Sequence, residues 1–152
     1  RDIVGLLLDE VDVRKVPGEA VDDSVRRVAL SLREMTLRHP RAFALVAAAP
    51  VFESPVLEYA AHIRSIHAQQ NVGEEHFVAM WSVCDAFLTG SMVMLAQAAI
   101  RAQHALADET APPASHSMDR QLASELADVL SEKAFRRDLD VVLAGMRVSG
   151  LF

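Results

Sequence analysis

A single cysteine, Cys84, stands in 152 residues, so no disulfide can form within the chain. That usage fits a reducing, cytoplasmic compartment best and makes Cys84 a candidate buried core thiol. Aromatics are also sparse at 5%, and a chain poor in aromatic side chains but rich in Ala, Leu, Val and Met favours helix over strand. No Lys/Arg-rich stripe occurs. The formal charge is −6, and the pairs Arg26-Arg27 and Arg136-Arg137 are each offset by nearby acids, so these residues alone are not expected to grip nucleic acid. The longest stretch without a charge, Ala86 to Ile100, falls short of the roughly 20 residues of a bilayer-spanning helix, and no membrane association is expected. The start, Arg1-Asp2-Ile3-Val4-Gly5, has neither an initiator Met nor the pattern of a signal peptide, so the chain is expected to begin mid-protein.

Catalytic signatures are missing too. The six glycines are scattered and form no phosphate-binding loop. No G-x-S-x-G elbow is present. Six histidines invite a metal reading, but His62 and His67 are five apart, about 140° around a helix, and do not aim at one ion. No Glu has a His three residues later, the spacing of di-iron bundles. Glu58 and His62, four apart, read as a surface hydrogen-bonded pair. Neither catalytic residue, metal nor cofactor is assigned.

With 51% apolar and 24% charged residues, the composition is that of one globular domain over residues 1–152. Apolar spacing predicts an all-α bundle of about seven helices. Ile3, Val4, Leu7, Leu8 and Val11 stripe a first short helix, which ends before Val16-Pro17-Gly18. A second, capped by Asp22 or Asp23, places Val25, Val28, Ala29, Leu32, Met35 and Thr36 on one face and stops at His39-Pro40. A short apolar helix spans Arg41 to Ala49. Ser54-Pro55 supplies a cap and a first-turn proline for a fourth, striped by Leu57, Tyr59/Ala60, Ile63 and Ile66/His67 and broken at Asn71-Val72-Gly73. A long helix follows from Glu74 to Ala105. Its broad band of Phe77, Met80, Trp81, Cys84, Phe87/Leu88 and Leu95, with Val78, Val83, Met92 and Ala99 elsewhere, demands more than one packing partner. Ala107 to Ser117, with Pro112-Pro113, reads as an exposed connection; Ser117 caps a sixth helix striped by Leu122, Leu126, Val129 and Leu130, and Phe135, Leu139, Val142/Leu143 and Met146 stripe the last. Gly90 and Gly145 lie inside helices, where each costs ~1 kcal/mol against alanine. Either a neighbouring subunit's helix approaches closely there, or each fills a tight spot in the chain's own core.

The order of these elements resembles the C-terminal domain of the TetR (tetracycline repressor) family of transcriptional regulators. The leading Arg1 to Asp9 helix resembles the one that follows the family's DNA-binding head. Leu37-Arg38-His39-Pro40-Arg41-Ala42-Phe43-Ala44-Leu45 resembles its helix-end, His-Pro, short-helix passage. Trp81-Ser82-Val83-Cys84-Asp85-Ala86-Phe87-Leu88-Thr89-Gly90 is similar to the aromatic-rich run of its long helix, and Phe135 to Arg147 to its terminal F-x-x-x-L-x-x-x-L-x-G pattern.

The resemblance implies an effector-sensing and dimerisation domain of a regulator of the repressor type, with no enzymatic activity. Operator DNA would be bound only through a helix-turn-helix outside this chain. It implies a homodimer joined by a four-helix bundle of the long and last helices, with Phe87, Gly90, Ser91, Met94, Ala98, Val142, Gly145 and Met146 at the interface. It also implies a cavity for an unidentified, largely apolar effector, walled by the second, fourth, fifth and last helices. The wall candidates are Leu32, Met35 and Thr36; Tyr59, Ile63 and Arg64; Phe77, Met80, Trp81, Cys84 and Leu88; and Phe135 with Leu139. If inward-facing, Arg64 would pair a ligand carboxylate and Tyr59 or Thr36 would orient a carbonyl or hydroxyl. The competing readings are a small helical-bundle enzyme or cofactor carrier, and a dimerisation module with a solid core and no ligand.

Overall fold

A computed structural model describes residues 2–50, 52, 54–107, 124–125 and 127–152. The architecture is all-α, and no strand occurs among the described residues. Among the described residues six helices are delimited: α1 (Ile3–Leu8), α2 (Val21–Arg38), α3 (Pro40–Ala48), α4 (Val56–Gln69), α5 (Glu74–Ala107) and α6 (Glu132–Val148). The expected Ser117 cap and the positions Leu122 and Leu126 lie outside the described residues. Of that segment's stripe, Val129 is exposed and Leu130 half-buried.

Local chemistry explains most helix ends. Asp2 accepts a 2.8 Å hydrogen bond from the Gly5 amide and caps α1, satisfying one of the donors left free at a helix start. Ser131 caps α6 through the Ala134 amide at 3.1 Å. Pro40 opens α3, where its missing N–H costs nothing. At the end of α6 the Leu151 amide returns to the Met146 carbonyl, which requires the left-handed backbone of Gly150 (φ +75°). Two expected caps are replaced. Helix α2 opens at Val21 after Ala20, placing Asp22 and Asp23 in the first turn, where they complement the helix dipole instead of capping it. Helix α4 opens at Val56, and the Ser54 hydroxyl donates to Glu58 Oε1 (2.6 Å) rather than receiving a backbone amide.

Helix α5 is the axis on which α2, α3, α4 and α6 pack. The α2 stripe is buried as its periodicity predicts, with Ala29, Met35 and Thr36 fully enclosed. Phe43 of α3, Met80, Met92 and Leu95 of α5 and Leu139 and Leu143 of α6 complete the core. Ion pairs tie α2 to its neighbours. Arg26 Nε donates to Asp140 of α6 (2.9 Å), and Arg147 of α6 pairs with Asp22.

The outer side of α5 is unusual for a single chain. Over Glu74–His104 its most apolar window has a mean hydropathy of 1.5, and only 17% of that window is buried. With Asp85 the one Asp, Glu, Lys or Arg between Glu75 and Arg101, this helix is long and apolar enough to cross a bilayer, which the charge-free stretch Ala86 to Ile100 alone is not. Half of α5 thus serves the core described above. The other half is left exposed by the described residues.

Candidate cavity between the helices

Helices α4 and α5 meet along a line of aromatic rings. On α4, Tyr59 and His67 are two turns apart on the face that also carries Ile63 and Ile66. On α5, Phe77 and Trp81 are one turn apart. Tyr59 packs edge-on to Trp81 (centroids 6.1 Å apart, planes at 63°), Trp81 lies 6.0 Å from Phe77, and Phe77 lies 6.1 Å from His67. These are favourable aromatic separations.

Behind the line lies a cavity of about 170 Å³. Trp81, Met80, Cys84 and Leu88 wall it from α5 with Phe77, and Tyr59, Ile63 and Ile66 wall it from α4. Leu32, Val28 and Val25 contribute from α2, Phe43 and Val46 from α3, and Leu8 from α1. An engineered apolar cavity of ~150 Å³ holds a benzene molecule, so this space admits one ring or a short branched chain.

The structure thus brings together Leu32, Tyr59, Ile63, Phe77, Met80, Trp81, Cys84 and Leu88 from the expected wall. The others lie elsewhere. Met35 is fully buried in the core away from the cavity. Thr36 is equally buried, and its hydroxyl donates to the Leu32 carbonyl (2.9 Å), leaving no hydrogen for a ligand. Phe135 stacks on Phe87 (5.9 Å, 13°) and Leu139 is core, so the last helix forms no part of the wall. Helix α3 takes its place. Arg64 points to solvent.

The polar lining is small. His67 is buried, its Nδ1 2.9 Å from Gln70 Oε1, while Gln70 Nε2 donates to the Glu19 carbonyl (3.0 Å). That orientation makes Nδ1 the protonated nitrogen and leaves Nε2 an acceptor. Burial pushes the His67 pKa below its ordinary 6.5. The unfolded chain therefore takes up this proton first, and the stabilisation from a neutral His67 is complete above about pH 6.5 and declines as pH falls below it. Urea unfolding between about pH 7 and 5 should show this loss, and His67→Gln should remove it; an unchanged slope in that variant would dismiss His67 as its source.

Burial raises the Tyr59 hydroxyl well above the phenol range, with help from Asp85, and lifts the Cys84 thiol to about 11. Both stay protonated at neutral pH, and Cys84 is correspondingly unreactive. Asp85 brings a charge to the lining; no Arg or Lys is among the residues around the cavity. Among the described residues its carboxylate is met by Thr89 Oγ1 at 3.5 Å and by no cation.

The remaining candidates also have definite places. His62 Nδ1 bonds the Glu58 backbone carbonyl (3.0 Å), not its side chain. No group of three or more His, Cys, Asp or Glu able to hold a metal occurs among the described residues. Of the interface candidates, Gly90, Met94 and Gly145 are exposed, and Phe87, Ser91, Ala98 and Val142 are half-buried. Met146 is 3% exposed and packs inward, its sulfur 4.0 Å from that of Cys84, so it backs the surface rather than forming it. A Cβ added at Gly90 or Gly145 would meet nothing within 4 Å, so neither glycine fills a tight spot in the chain's own core.

Sequence reasoning passed over Asp85 and His67 as lining residues, and one signal for Asp85 was present: from His76 to Ile100 it is the only charged side chain. Compared with protein-family models, with curated proteins and with solved structures, the chain finds no match in any of the three.

Proposed function

We propose that this chain is the effector-sensing and dimerisation part of a TetR-like transcriptional regulator, a cytoplasmic repressor without catalytic activity. Two copies join through α5 and α6. A small, largely apolar molecule bound in each copy alters DNA binding by a helix-turn-helix outside this chain. The observation that carries the reading is the largely apolar, partly open cavity of about 170 Å³ lined by α1 to α5. A dimerisation module with a solid interior has no reason to keep such a space, because an unfilled cavity costs stability.

The dimer half of the proposal rests on two exposed stripes. Val83, Phe87, Gly90 and Met94 recur at spacings of four, three and four on α5, with Val83 43% and Met94 55% exposed. Val141, Gly145 and Val148 recur at four and three on α6. Such spacing is that of a helix-packing seam, and a glycine in each stripe lets a second backbone come close. Gly90→Leu should weaken self-association by at least about tenfold in sedimentation equilibrium while leaving helix content unchanged. An unaltered dimer would take Gly90 out of the interface. A wild-type chain that stays monomeric and co-sediments with phosphatidylcholine vesicles would reassign the face of α5 to lipid.

For the regulator itself, the coding region upstream of Arg1 should specify a basic helix-turn-helix. Its absence there would sink the reading.

A further inference from the structure

We propose that the cavity takes a small lipophilic cation, an aryl- or alkylammonium whose apolar body fills the space and whose charge sits at Asp85 beside Tyr59 and Trp81. The inference rests on reading the cavity as an effector site and adds the ligand's chemical class.

Charge decides the class. The lining holds the Asp85 carboxylate and no Arg or Lys, and His67, Tyr59 and Cys84 are neutral at pH 7 for the reasons given above. A carboxylate or phosphate would enter with no counter-ion and face a like charge. A neutral ligand would leave Asp85 idle. This carboxylate is not held by the protein: Thr89 Oγ1 stands at 3.5 Å, a marginal hydrogen bond, and no cation pairs with it among the described residues.

Geometry agrees with charge. Asp85 is one turn beyond Trp81 on α5, and Trp81 meets Tyr59 edge-on. An ammonium at that point has aromatic rings beside it and a carboxylate next to it, the two features that recognise organic cations. Asp85 is also solvent-exposed, so the charged group keeps part of its hydration while the apolar body is buried, which limits the desolvation cost. The position is free for this role, since Asp85 and Met94 are nine residues apart and therefore on opposite sides of the helix. A dimer built on the Met94 side leaves it open.

Trp81 is the only tryptophan, so its fluorescence reads occupancy directly. The 152-residue chain is titrated with three probes of closely similar size, benzylammonium, benzyl alcohol and benzoate. The cation is expected to bind about fivefold or more tighter than the alcohol, and the anion weakest. Asp85→Asn should abolish the preference of cation over alcohol, and Asp85→Glu should retain it. Added salt should weaken the cation alone. Equal binding of cation and alcohol to the wild type, or a preference that survives Asp85→Asn, overturns the cation assignment while leaving the cavity as a ligand site. Failure of all three probes to perturb Trp81 overturns the effector-site reading and this inference with it.

Discussion

Phe43→Ala is expected to destabilise the chain by about 3 kcal/mol, the lower end of the range for removing a buried phenylalanine. Phe43 is 2% exposed and is the largest buried side chain of a nine-residue helix whose Ala42 and Val46 are only partly buried. The side chain is also part of the cavity wall. One side of the ring therefore already lacks partner atoms, and its removal merges new space with old instead of opening an isolated void. The same variant should admit a bulkier apolar probe than the wild type, read as a larger thermal upshift in its presence. Denaturant unfolding that moved by less than about 1 kcal/mol would mean that α3 is not anchored through this ring.

Arg27→Ala is expected to cost a similar amount, about 3 kcal/mol, for a different reason. The Arg27 guanidinium organises the loop between α1 and α2. Nε and Nη2 grip Glu19 in a bidentate pair (2.9 and 2.7 Å), Nη1 donates to the carbonyl and carboxylate of Asp12 (2.8 and 3.0 Å), and Nη2 donates to the Arg14 carbonyl (2.8 Å). Its side chain is 17% exposed and that of Glu19 only 9%. Truncation leaves a nearly buried carboxylate without its counter-charge, and most of the loss comes from that stranded group. The double variant Arg27→Leu with Glu19→Leu should recover much of the stability. If it is no better than the single variant, the stranded-charge argument fails.

The same cluster gives the acid side of the stability curve its shape. Asp12 is held down to about 2, chiefly by hydrogen bonding from the Arg14 side chain, and Glu19 is lowered by Arg27. Carboxylates depressed in the folded state stabilise it above their unfolded pKa, near 4, and lose that contribution as pH falls toward their folded values. Arg27→Ala should flatten the part of this dependence that belongs to Glu19.

These contacts mark the boundary between what repeats along the chain and what does not. The stripe Val25, Val28, Ala29, Leu32, Met35 and Thr36 was legible residue by residue and is buried throughout, because a helix face is set by spacing alone. The caps were less legible. Ser54 and Asp22 carry the right chemistry one or two residues from where the helices begin, and a hydroxyl that can bond either a backbone amide or Glu58 is decided by geometry. The wall of the cavity was legible on α4 and α5 and misassigned at its far side. Phe135 and Leu139 have the same periodic signature as true lining residues, and only their neighbours separate them, since Phe135 stacks on Phe87 and neither residue borders the cavity. Helix α3 was overlooked because a short run of Ala, Phe, Leu and Val is apolar on every side and names no preferred neighbour.

Two observations about α5 follow the same division. Its apolar character on more than one side was plain from composition. Which side meets α2 to α4, and which is left exposed, depends on how the other helices cross it.

By itself, then, the sequence determined an all-α chain, the identity of its helices, the buried face of α2, that of α4 from Ile63 onward but not at its exposed start Leu57, and a long helix with too much apolar surface for one layer of neighbours. These are properties of residues three and four apart, and local spacing suffices for them. The tertiary structure decided that α3 and not the last helix lines the cavity, that Met146 faces inward while Gly90 and Gly145 stand in open space, and that Asp85, a carboxylate with no cation beside it among the described residues, lies at the edge of a largely apolar pocket. A pocket is the space left between surfaces of different helices, and its shape and charge follow from their long-range packing.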